Sequence, residues 1–143
     1  MAKPNDRHGR NWLAAGLLML AACAGERTPP GIDAMDALER IEQAGLVIID
    51  IRAPQEARER GQIAGAHAIP YPTDDAGREE FLGEIRRLRA GDDRPILLVC
   101  RIGETSKRAA LWLADAGLDG VFTLTDGYEG NAIGPGLKLL TSR

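Results

Sequence analysis

The sequence predicts an α/β domain: an open, mainly parallel β-sheet flanked by helices. Three observations carry this reading. Residues 46–49 (LVII), 96–99 (ILLV) and 121–124 (VFTL) are short, continuous apolar runs, the pattern of strands buried on both faces. Segments with apolar residues at helical spacing lie between and around them. Strand and helix patterns alternate along the chain, and that order puts successive strands parallel with the helices covering the faces.

The elements follow in order. Lys3, Arg7 and Arg10 precede an apolar run of 11 residues, 12–22 (WLAAGLLMLAA). A membrane-spanning helix needs about 20 residues, so the run fits a secretory leader better. An N-terminal core helix is the other reading. The run ends Leu20-Ala21-Ala22-Cys23, which resembles the lipobox of a bacterial lipoprotein. That resemblance implies a signal peptide over 1–22 and lipidation of Cys23. Residues 23–31, with the polar Pro/Gly stretch 26–31 (ERTPPG), read as a tether. The fold is then expected over 32–143.

Asp33 can cap a helix running to about Gln43, with Met35, Leu38 and Ile41 at helical spacing. Gly45 stops it. The first strand, 46–49, ends at Asp50. Pro54 opens a short charged helix that ends at Gly61. Residues 68–70 (AIP) read as a short strand closed by proline. Residues 79–90 are helical, with Phe81, Leu82, Ile85 and Leu88 on one face. The strand 96–99 leads to Cys100, and a fourth helix covers 105–116, ended by Gly117. After the strand 121–124, the tail from Gly134 reads as a short helix or packed coil.

Composition narrows function. The chain has 143 residues and a formal net charge of −3, which gives no support to nucleic-acid binding through a basic patch. Loss of residues 1–22 removes three basic residues and one acidic one, leaving 121 residues with a net charge of −5. One histidine (His67) and two cysteines then remain, too few for an ordinary zinc site. Cys23 and Cys100 could pair as a disulfide. If Cys23 carries lipid, Cys100 is a lone thiol in an oxidising compartment, either put to use or buried and inert.

Cys100 closes a strand, and a short loop with one glycine leads from it into a helix. Ligands bind outside the carboxyl ends of strands in open α/β sheets. Backbone N–H groups of such a loop can curl around the sulfur, and the helix N-terminus adds positive potential. Both favour thiolate over thiol. Gly103 permits the tight turn. Thr105 or Ser106 can cap the helix or donate into the loop. Arg101 supplies a planar set of donors suited to an oxyanion, or alternatively pairs with a surface carboxylate. At the other strand end, Asp50, Arg52 and Glu56 read as structural. Arg52 and Glu56 are four apart, a spacing for an ion pair. His67 reads as a turn or packing residue and Trp112 as core.

Three stretches resemble the rhodanese family of sulfurtransferases. Asp50-Ile51-Arg52-Ala53-Pro54-Gln55-Glu56, followed by residues 61–70 (GQIAGAHAIP), is similar to its D-x-R…E…G-x-I-x-G-A-x-x-I-P signature. Cys100-Arg101-Ile102-Gly103-Glu104-Thr105 resembles its six-residue active-site loop. Residues 126–130 (DGYEG) resemble its G-G-aromatic turn.

The resemblance implies a rhodanese-like open, mainly parallel sheet. It implies that Cys100 takes a sulfane sulfur from a small sulfur-containing anion or persulfide donor, becomes a persulfide, and passes the sulfur to a thiol or cyanide-like acceptor. The loop residues Arg101, Ile102, Gly103, Glu104 and Thr105 would bind the substrate, and no metal or organic cofactor would be needed. Two features depart from the family pattern. Glu104 puts a carboxylate in a loop that is often neutral, and an inward-facing carboxylate would repel thiosulfate. The ending Gly130-Asn131-Ala132 lacks the usual aromatic.

Two other functions compete with this one. A cysteine phosphatase needs C-x(5)-R, and that position holds Ser106. A lipid-tethered, non-enzymatic rhodanese-like module is the alternative. With the leader, either function implies a periplasm-facing protein of the bacterial cell envelope. Ala24 after Cys23, rather than aspartate, implies the outer membrane by resemblance to enterobacterial sorting.

Overall fold

The computed structural model describes residues 28–141; the leader and Cys23 lie outside them. Five strands and five helices alternate. They are β1 (Gly31–Ile32), α1 (Ala34–Glu42), β2 (Val47–Asp50), α2 (Pro54–Arg60), β3 (His67–Ala68), α3 (Asp75–Gly91), β4 (Ile96–Val99), α4 (Glu104–Asp115), β5 (Val121–Leu124) and α5 (Leu137–Thr141). The sheet order is β1-β5-β4-β2-β3 and every pairing is parallel. The expected α/β class with a parallel sheet is what the chain adopts.

The central strands are buried on both faces because alternate side chains enter different layers. Ile49, Ile96 and Leu98 pack with Phe81, Ile85 and Leu113 of α3 and α4. Ile48, Leu97, Val99 and Leu124 pack with Ala34 and Ala37 of α1 and Leu137 of α5. The result is a helix–sheet–helix sandwich whose strands all point their carboxyl ends to one rim.

Several boundaries move for local reasons. Asp33 caps α1 as expected, accepting from the N–H groups of Met35 and Asp36 at 2.9 Å each. The buried face of α1, however, is Ala34 and Ala37, with Ile41 partly covered. Met35 is 61% exposed: the alanines permit close approach of α1 to α5, which turns Met35 outward. The left-handed residue ending α1 is Ala44 (φ 51°) rather than Gly45. Helix α3 starts a turn earlier than its apolar pattern, since Asp74 caps it by accepting from Gly77 N–H at 2.7 Å. Gly31, read as the end of the tether, opens β1 and pairs with Thr123. Two residues are too few to show strand periodicity in a sequence.

Candidate active site

The site forms where β4, β2 and β3 end side by side. Cys100 follows Val99, the last residue of β4, and is 4% exposed. Its Sγ accepts from Gly103 N–H at 3.1 Å and from Ser106 N–H at 3.4 Å. Gly103 is the N-cap of α4, at φ 95°, and no side chain caps the helix. The sulfur takes that place: the free N–H at the third position of the helix, normally satisfied by a capping oxygen, goes to Cys100. The expected cap by Thr105 or Ser106 is therefore not made. Ser106 instead donates its hydroxyl to Gly103 O at 2.9 Å, inside the loop.

Packing under the loop leaves no choice at Gly103. A Cβ there would lie 2.3 Å from Thr125 O, and the backbone conformation is itself left-handed. Backbone bonds hold the loop from below: Tyr128 N–H donates to Cys100 O at 2.9 Å and Glu129 N–H to Arg101 O at 3.0 Å. With its carbonyls drawn outward, the loop presents N–H groups to the sulfur.

A cavity of about 300 Å³ opens above Cys100. Ile51, Arg52, Ala53 and Glu56 line it from the β2 end, Tyr71 from the β3 end, and residues 100–102, 104 and 105 from the loop. Arg101, Ile102, Glu104 and Thr105 line the cavity, while Gly103 is buried beneath it as a donor. Glu104 is exposed at the first turn of α4. Arg101 is half-exposed at the rim, its Nε 3.4 Å from Glu56 Oε1.

The expected Arg52–Glu56 ion pair does not form. Arg52 lies in a bend just before α2, so the helical four-residue spacing does not apply. The bend turns it back on Asp50, whose Oδ1 also accepts from Arg52 N–H at 3.1 Å. Arg52 Nε and Nη2 donate to the two Asp50 oxygens at 2.9 and 2.7 Å, and Nη2 also donates to Gly61 O at 2.9 Å. The guanidinium stacks over the Tyr128 ring, 4.0 Å from its centroid. Burial disfavours the charged form, but the hydrogen bonds and charge of Asp50 outweigh it and raise the Arg52 pKa above its ordinary value. This cluster ties the β2 end to the turn after β5 and gives the cavity a fixed, charged wall. Glu56, freed from Arg52, faces Arg101.

Sequence reasoning missed Tyr71, Ile51 and Ala53, which line the cavity only because β2 and β3 end beside β4. Ser106, a candidate loop donor in the sequence, makes that bond to Gly103 O and is buried completely beneath the thiol. His67 is exposed in β3 and takes no part in the cavity. Trp112 packs partly buried against the core, as expected. Among the described residues no group of three or more His, Cys, Asp or Glu side chains could hold a metal ion.

The fold and this site define an α/β protein with a buried cysteine at a strand end, its sulfur held by the amides of a helix-entry loop. The chain belongs to the family of the rhodanese-like domain, whose family model matches residues 33–132. It is 34% identical over 104 residues to the thiosulfate sulfurtransferase GlpE of two Pseudomonas putida strains, covering 73% of this chain and 82% of the relative. The fold is similar to that of the rhodanese-like domain of the Anabaena Alr3790 protein, with a TM-score of 0.54 and 24% identity over 80% of this chain and 85% of that one. It is also similar to Rv0390 from M. tuberculosis, with a TM-score of 0.52 and 22% identity over 80% and 96%.

Proposed function

We propose that this protein is a sulfurtransferase that carries a sulfane sulfur on Cys100, taking it from thiosulfate or a small persulfide and delivering it to a thiol or cyanide-like acceptor. The observation that carries the reading is the Cys100 sulfur, bonded by two backbone N–H groups at 3.1 and 3.4 Å on the floor of an open cavity.

The Cys100 thiolate attacks the outer sulfur of thiosulfate. A new S–S bond forms, the S–S bond of the donor breaks, and sulfite leaves with the bonding electron pair. The cavity above the buried Sγ has room for the added sulfur, and the loop amides stabilise the negative charge of the sulfur at the cavity floor. Arg101, at the rim, faces the departing sulfite. In the second half, an acceptor thiolate attacks the outer sulfur of the protonated persulfide. Cys100 leaves as thiolate, the acceptor leaves as a persulfide, and no oxidant or reductant is consumed.

The sequence leader supports a bacterial cell-envelope location, with Cys23 lipidated and the domain facing the periplasm, in the outer membrane. Cys23→Ala is expected to release the protein from the membrane fraction.

The test of function is intact mass before and after incubation with thiosulfate. A gain of about 32 Da, removed by cyanide and absent in Cys100→Ser, is the expected result for covalent catalysis by this thiol. No gain with thiosulfate or with a persulfide donor would overturn the reading in favour of a non-enzymatic, membrane-tethered binding module.

A further inference from the structure

Gly103 N–H, the shorter of the two amide bonds to Cys100 Sγ, belongs to the peptide unit joining Ile102 to Gly103. That unit is planar and trans, so its carbonyl points away from the sulfur as its N–H points toward it. Whatever holds Ile102 O therefore aims Gly103 N–H. The holder is Asn131. Its Nδ2 donates to Ile102 O at 2.8 Å and to Thr125 O at 2.9 Å, and its Oδ1 accepts from Ile133 N–H at 2.7 Å. Two carbonyls and one N–H leave a single orientation for the amide that satisfies all three. Thr125 directly follows β5, so the side chain ties the active-site loop to the sheet.

The neighbouring carbonyls, Cys100 O and Arg101 O, are held by backbone N–H groups that every residue but proline supplies. Ile102 O is the one of the three held by a side chain. The unit is also the one with a glycine on its N–H side, at φ 95°. A glycine lowers the steric barrier to turning the peptide over. If it turned, a carbonyl oxygen would replace an N–H beside the sulfur, which disfavours the thiolate.

We propose that Asn131 is a positioning residue for Cys100: by fixing the Ile102–Gly103 peptide it keeps an amide donor on the sulfur and holds the thiol in its reactive form. This concerns the state of the thiol and is independent of the sulfur donor.

The experiment uses the full chain with Cys23→Ser, which leaves Cys100 as its one thiol. The rate of alkylation by iodoacetamide is followed by mass across pH, for this chain and for Asn131→Ala and Asn131→Asp. Removal of the amide moves the midpoint of the profile to higher pH. The rate below the midpoint falls about three- to tenfold, and the high-pH plateau is kept. Asn131→Asp shifts it further, because an ionised carboxylate cannot donate to either carbonyl. Asn131→Ser, with a single donor, falls between the parent and Asn131→Ala. Thermal melts identify any variant that does not fold, and Asn131 is exposed enough for the serine variant to keep the fold. Superimposable profiles would overturn the proposal. So would a loss by one factor at every pH, the signature of altered access alone.

Discussion

Ser106 lies directly beneath Cys100, with its N–H 3.4 Å and its hydroxyl oxygen 3.5 Å from Sγ. The serine is fully buried, and its hydroxyl proton goes to Gly103 O. This is the position where a cysteine phosphatase places the arginine that clamps its oxyanion, and there is no room for one. Ser106→Arg is expected to cost more than about 4 kcal/mol by overpacking and burying an unpaired charge, read as a lost thermal transition. Native protein is expected to show no turnover of an aryl phosphate.

The second prediction concerns Gly103. Gly103→Ala places a Cβ 2.3 Å from Thr125 O in a left-handed backbone. The loop must move, and the N–H on Sγ is lost with it. Sulfur loading is expected to fall by at least about tenfold, in line with the loss of a donor that stabilises developing charge. Stopped mass measurements after mixing with thiosulfate would check it. An unchanged rate would mean that the loop amide is not used.

A third prediction follows from Arg52, whose side chain is 0% exposed and bonded to Asp50. Asp50→Ala leaves a buried cation without its partner, at a cost of about 3–5 kcal/mol. The urea midpoint should fall accordingly. The double variant Asp50→Leu/Arg52→Met is expected to recover much of the loss, because the cost lies in the uncompensated charge. Without recovery, the pair's value lies instead in the contacts with Gly61 and Tyr128.

Glu104 gives a fourth. It stands exposed at the mouth of the cavity, in the first turn of α4. Its charge opposes an incoming dianion through water, so the effect is small and screened. Glu104→Gln is expected to raise the loading rate with thiosulfate about two- to threefold at low ionic strength and to change little in high salt. An effect independent of salt would place the carboxylate inside the pocket.

A fifth concerns acid stability. Arg94 donates to Asp92 through its side chain and backbone, and this holds the Asp92 carboxyl at about 2, below the ordinary 3.8. A depressed carboxyl favours the folded state at every pH above 3.8, and that contribution is lost as pH falls toward 2. The stability gap between native protein and Asp92→Asn is therefore expected to be constant at neutral pH and to close across this range, as read from urea midpoints.

Much of this molecule follows from local patterns in the chain. The runs at 46–49, 96–99 and 121–124 are near-continuously apolar, and only strands buried on both faces need that, so three strands and the α/β class were readable. The Cys100 loop was readable too, because the strand end, the glycine turn and the helix entry that form it are next to one another in sequence. Contacts between distant segments were not readable. The β1 strand has two residues and no period. Tyr71 reaches the cavity because β3 lies beside β2. Arg52 meets Asp50 rather than Glu56 because the chain bends there, before the helix begins. The Asn131 amide meets Ile102 O across 29 residues. The sequence by itself determined the class and the loop that holds the Cys100 sulfur, since both are encoded by neighbours in the chain. Only the tertiary structure decided which groups surround the sulfur and which hold its loop in place, since hydrogen bonds and packing depend on distance in space, and the sheet order sets that distance.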